Sequence, residues 1–276
     1  ATDSTNITSW NSDGFALGNG SINENTRTYA SWNWKANGAG SANTTGSINS
    51  TVSVNTTSGF SIVKYTGTGA NATVGHGLGV APKMIHVKGI NTNSTNWLTG
   101  GSNISSNWAS SLHLNTTAGI DTYNYWQNYA PNTNVFYMTS DGAINQSGID
   151  YIAYCFSDVQ GYSKFGSYIG NGSTDGPFVY TGFKPAFVMV KITAGQTDNW
   201  IMQDNKINSF NGASSQRLRP NSSGAEFSSS NEIDLLSNGF KTHGNDGEIN
   251  GSGFSYIYMA FGQSLVGTNN IPANAR

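Results

Sequence analysis

Apolar and polar residues alternate in short bursts along this chain, and Gly, Asn, Ser or Thr ends each burst before three helical turns could form. The bursts are rich in β-branched and aromatic residues: TVSVNTT from Thr51, FSIVKYT from Phe60, KMIHVKG from Lys83, NVFYMTS from Asn134, YIAYCF from Tyr151, PFVYTG from Pro177, AFVMVKI from Ala186 and YIYMAF from Tyr256. Such runs read as strands, and the scarcity of Ala, Leu, Glu, Lys and Arg leaves little to build helices from. Many short strands between Gly-rich turns predict an all-β fold made of antiparallel β-sandwiches.

The pattern also repeats. Pro82, Lys88 and Trp97 return as Pro185, Lys191 and Trp200, a displacement of 103 (185 less 82, and likewise for the others), and Tyr65, Gly67 and Gly69 return as Tyr168, Gly170 and Gly172. A second motif occurs in three copies, starting at Ser12, Thr139 and Ser237. Each copy has a turn, an Ile-Asn pair, a polar loop, and then an aromatic strand: Tyr29 to Trp34, Tyr151 to Phe156, and Tyr256 to Phe261. The predicted organisation is therefore a tandem array of units of about 100 residues, not a solenoid of small repeats. Residues 1–57 are the C-terminal half of a preceding repeat plus a linker, 58–161 and 162–265 are two complete sandwiches, and 266–276 is an extended tail.

Charged residues make up only 10% of the chain, against about a quarter in typical soluble proteins, while aromatics reach 12%. This predicts a globular protein with an uncharged polar surface. No apolar run approaches the roughly 18 residues that span a bilayer, so no membrane insertion is expected. A net charge of −2 with scattered Lys and Arg offers no basic stripe for phosphates, which excludes nucleic acid as a partner. The single cysteine, Cys155, lies in an apolar strand and reads as an inert core thiol.

Candidate chemistry is sparse. His76, His86, His113 and His243 are too scattered for a metal site, and the Asp residues at 13, 141, 175 and 246 stand in turns, where they bond their own backbone. NDGEIN from Asn245 lacks EF-hand spacing, and no GxSxG elbow or phosphate-binding loop is present. The expectation is a protein that is not an enzyme and carries no metal or cofactor. The aromatic residues of the segment between the repeated corners, Trp97, Trp108, Tyr123, Tyr125, Trp126 and Tyr129, stand out beside Asn, Gln and Ser. Trp97 has its counterpart in Trp200 and reads as core. Trp108, Tyr123, Tyr125 and Trp126 are the candidate ligand-binding residues, because rings stack on the C–H faces of sugars while amides bond hydroxyls. The alternative is that these rings cap the sandwich or pack between units.

The segments from Thr8 to Gly38, Ser61 to Gly89, Ile152 to Lys191 and Phe254 to Phe261 resemble a repeat domain of unknown function found in tail and fibre proteins of marine and freshwater bacteriophages. The resemblance covers nearly the whole chain and brings no catalytic residues with it. It implies a virion surface protein, extracellular after release. The leading reading is a tail fibre or receptor-binding adhesin that recognises a host-surface glycan or protein. Its partners would be other virion proteins and further copies of itself, with a trimer favoured. The alternatives are a capsid decoration or tail appendage with a purely structural role, and a glycan depolymerase. Two departures stand out: the first repeat lacks its front half, and the 91–131 insert differs between units.

Overall fold

The computed structural model describes residues 5–11, 14–92, 94–207, 211, 215–229 and 233–262; the expected tail at 266–276 lies outside them. The chain begins with a hairpin of β1 (Ile7–Trp10) and β2 (Phe15–Leu17). Then come β3 (Ser41–Asn43), β4 (Ser50–Asn55), β5 (Phe60–Thr66), β6 (Ala72–Gly75), β7 (Met84–Gly89), β8 (Leu98–Gly101), β9 (Leu112–His113) and β10 (Val135–Met138). A single turn of helix, α1 (Gly142–Asn145), leads into β11 (Asp150–Phe156). The second unit consists of β12 (Ser163–Ile169), β13 (Asp175–Tyr180), β14 (Pro185–Ala194), β15 (Trp200–Asp204), β16 (Ser215–Arg217), β17 (Phe227–Ser229), β18 (Ile233–Leu236), β19 (Gly239–His243) and β20 (Ser255–Gly262). The fold is all-β and antiparallel, and every predicted run lies on a strand.

The two units share one plan. The main sheet of the first runs β3-β4-β5-β11-β7-β8-β9, and that of the second runs β12-β20-β14-β15. Registers match: Ile152 faces Lys88 as Ile257 faces Lys191, and Ile85 faces Gly100 as Val188 faces Gln203. A smaller sheet covers one face of each, β6 with β10 in the first and β13-β19-β18 in the second. Between the layers lie Val63, Val74, Val87, Phe136 and Cys155 in one unit, and Val190, Ile201, Leu235, Phe240 and Ala260 in the other. The expected linker ending at residue 57 instead contributes β3 and β4 to the first unit's sheet.

The repeated motif closes each sandwich with a polar knot. Asn145 is fully buried; its amide donates to the carbonyls of Ala70 (2.6 Å) and Thr139 (3.0 Å), and its Oδ1 accepts from the Thr68 N–H (2.8 Å). Asn250 does the same with Ser173 (2.9 Å), Gly244 (2.7 Å) and the Asn171 N–H (2.9 Å). Around each amide, two tyrosines stack, Tyr65 on Tyr151 at 5.3 Å and Tyr168 on Tyr256 at 4.9 Å. Their hydroxyls donate to Ile144 and Gly142, and to Ile249 and Gly247, all at 2.7 Å. Buried amides survive only when their hydrogen bonds are made, so the Ile-Asn of the motif is explained by this site. The glycine two residues after each first tyrosine is also explained: a Cβ at Gly67 or Gly170 would lie 2.3 Å from the carbonyl oxygen of Gln146 or Gly251.

Strand alternation gives β11 and β20 a second buried face. Phe60, Met84 and Phe156 of the first unit pack against Phe165, Phe187, Met189, Met259 and Phe261 of the second. Each large apolar side chain buried this way contributes about 1.5–3 kcal/mol, so the units are joined by a core and not by a tether. Trp32 and Trp34 enter the same core, although 29–35 forms no strand and has no ladder partner among the described residues.

Candidate functional site

The 91–131 insert has two sides. Its inner side docks on the second unit: the carbonyl of His113 accepts from Trp200 Nε1 (3.0 Å), and the carbonyl of Thr117 accepts from Lys191 Nζ (3.0 Å). Asn103 reaches across to the Gly166 carbonyl at 3.1 Å. Burial pushes the Lys191 pKa down to about 8, against the opposing pull of Asp198.

The structure corrects the proposed ligand patch at two of its four residues. Trp108 and Trp126 are 1% and 0% exposed and meet edge to face at 5.1 Å within the first unit's core, where they cannot stack on a ligand. Gly100 makes room for them, since a Cβ there would fall 2.6 Å from both rings. Trp97 also departs from expectation: it is half-buried and stacks on Tyr154 at 5.9 Å, whereas Trp200 is enclosed.

Tyr123 and Tyr125 remain at the surface, 55% exposed and partly buried, with ring centroids 4.8 Å apart. Asp121 holds them. Its Oδ1 accepts from the Tyr123 N–H (2.8 Å), and its Oδ2 accepts from the Tyr125 hydroxyl (2.8 Å) and lies 3.1 Å from His113 Nε2. Burial alone would raise the Asp121 carboxyl, but these donors outweigh it and hold the pKa below the ordinary value. Tyr125 is pushed well up, first by burial and then by its bond to Asp121. Tyr129, 60% exposed, packs on Tyr137 at 5.4 Å.

The backbone that presents these rings is strained. Trp108, Gln127 and Asn128 have φ of 58°, 59° and 56°, a region that costs non-glycine residues energy and persists only where surrounding contacts enforce it. Here the Gln127 amide donates to the carbonyls of Ala72 (3.1 Å) and Met138 (2.7 Å) on β6 and β10. The tyrosine loop is thus clamped to the sandwich by Gln127 below and by the Trp pair within.

A second feature was missed in the sequence. A cleft of about 890 Å³ opens between the N-terminal segment and both units, lined by Trp10 and Trp34, by Phe60, His86, Trp97 and Tyr154 of the first unit, and by Met189 and Met259 among others of the second. Among the described residues no Asp or Glu lines it. Alternation with Ile85 and Val87 would set His86 on the strand face away from the core, yet it is buried here and bonded to Thr99 Oγ1 at 2.8 Å; desolvation lowers its pKa to about 4. The visible signal was the Trp-x-Trp of the first motif copy, which lacks strands of its own to pack between. Among the described residues no cluster of His, Cys, Asp or Glu is placed to hold a metal ion.

A family profile described as Domain of unknown function (DUF7483) matches residues 1–264. The chain belongs to that family. The family spans the half-repeat, both sandwiches and the cleft together, so the N-terminal segment is part of the same unit of inheritance as the repeats. No curated protein and no solved structure matches the chain.

Proposed function

We propose that this chain is a non-enzymatic recognition protein on a bacteriophage virion surface, a tail fibre or comparable appendage, which holds a host-surface glycan against Tyr123 and Tyr129. The virion assignment rests on the resemblance of the repeat segments to phage tail and fibre proteins. The recognition assignment rests on one observation: water-facing tyrosines on a strained loop that Gln127 and two buried tryptophans hold fixed. A fixed aromatic surface loses little entropy on binding, and neighbouring Asn side chains supply bonds to hydroxyls. An uncharged ligand suits a chain with 10% charged residues, and such binding would vary little with salt.

The test is adsorption of the purified chain to host cells or extracted surface polysaccharide. Tyr123→Ala combined with Tyr129→Ala should lower binding by about tenfold or more, with the melting temperature unchanged. Wild-type binding by that variant would remove the assigned loop. Polysaccharide sized after incubation should keep its chain length, as expected of a binder and not of a depolymerase. A purely structural role as a decoration or appendage is the second reading, favoured by the open cleft at the N-terminal half-unit, and imaging of the protein on the particle separates the two.

A further inference from the structure

The N-terminal segment carries the third copy of the polar knot, half built. Asn23 stands six residues before Tyr29, as Asn145 does before Tyr151 and Asn250 before Tyr256. The local half of each bond set is already made. The Tyr29 hydroxyl donates to the Ser21 carbonyl (3.0 Å) and accepts from the Glu24 N–H (2.9 Å), matching Tyr151 with Gly142 and Gln146, and Tyr256 with Gly247 and Gly251. Asn23 donates back to Gly18 at 2.9 Å, as Asn145 does to Thr139 and Asn250 to Gly244.

The other half is open. In the complete units, Asn145 and Asn250 are buried under the Gly-x-Gly loop that follows Tyr65 or Tyr168; Asn23 is exposed, and Tyr29 is 50% exposed with no stacked ring among the described residues. β11 runs between β5 and β7, and β20 between β12 and β14. The equivalent segment, 29–35, is flanked by two cavities instead. One, of about 890 Å³, is walled by Phe60, His86 and Tyr154 of the first unit and by Met189, Met202 and Met259 of the second, and the other, of about 1120 Å³, by Asp204 and Leu218 of the second, with Phe187 shared between them.

The interface between the complete units continues into this space. Trp34, Phe156 and Phe261 each stand five residues after their tyrosine, and they close a triangle with centroid separations of 6.2, 5.3 and 5.8 Å. Around it, the first unit's insert caps Trp200 through the His113 carbonyl, while Trp97, the matching ring of the first unit, faces the cleft.

We infer that residues 18–35 are a docking face for the front half of a repeat: a strand ending in Tyr-x-Gly-x-Gly, followed by a Pro-to-Lys strand, which add on either side of 29–35 to build a third sandwich. The front halves led by β5 and β12, in this copy or in another, are not the occupant, because they are already committed to β11 and β20.

The test is hydrogen–deuterium exchange on the full chain, with a synthetic peptide of residues 58–90 and separately with residues 58–131 fused ahead of residue 1. Exchange over 21–35 should slow by about tenfold or more, and Asn23→Ala should abolish most of the slowing. The fused chain decides if the free peptide fails to bind. Unchanged exchange over 21–35 in the fused chain, equal slowing by a scrambled peptide, or protection that tracks self-association without peptide would each overturn the inference.

Discussion

Replacing the motif asparagine with alanine in each of its three copies is an experiment with an internal control. In Asn145→Ala, the Thr68 N–H and the carbonyls of Ala70 and Thr139 lose a fully buried partner, although the residues that carry them lie towards the surface. An orphaned buried group costs about 1–3 kcal/mol, so three at the low end give about 3 kcal/mol after relaxation. Asn250→Ala should cost the same, because Asn171, Ser173 and Gly244 are stranded in the same way. At roughly 2–4 °C per kcal/mol, either variant should melt roughly 6–12 °C below the parent. Asn23→Ala removes one exposed bond to Gly18, which water replaces, and should cost less than about 0.5 kcal/mol. Urea unfolding monitored by tryptophan fluorescence gives all three numbers. A cost below about 1 kcal/mol at Asn145, or an Asn23 variant as damaged as the other two, would refute the reasoning that burial and not the motif itself sets the value.

Acid should weaken the fold through His86. Its folded pKa is lowered to about 4 from 6.5, so between those values the unfolded chain binds a proton that the folded chain refuses, and stability falls by up to about 1.4 kcal/mol per pH unit as pH drops. His86→Met, which installs the residue found at the equivalent Met189, should flatten the stability–pH curve over that window, leaving the share carried by the buried His76; an unchanged slope would contradict this. Gly100→Ala places a methyl group against two immobile indoles and should cost about 1–3 kcal/mol, read as a lowered urea midpoint, whereas no loss would mean the tryptophan pair can shift.

Period and alternation carried the architecture well. The displacement linking Pro82 to Pro185 reappears as identical strand register, because register follows from which alternate residues are apolar. The aromatic insert was harder to read. Trp108 and Tyr123 look alike as ring-bearing residues among polar neighbours, yet one fills the hollow above Gly100 and the other faces water. That difference depends on a glycine of β8, whose missing side chain no count of apolar positions registers. The cleft was hidden for a related reason: its walls come from Trp10, Phe60, Trp97 and Tyr154, which no local pattern connects. His86 was misjudged because alternation gives a strand two faces but does not say that a neighbouring unit buries the second one.

The triangle of Trp34, Phe156 and Phe261 has a consequence for how such a chain can evolve. The same position from every copy meets itself at the centre, so unequal crossing-over between copies of the repeat in the gene would deliver another large ring to the same place. Recombination that replaces one copy by another therefore keeps a ring at each corner, and only the loss of a copy opens the hub.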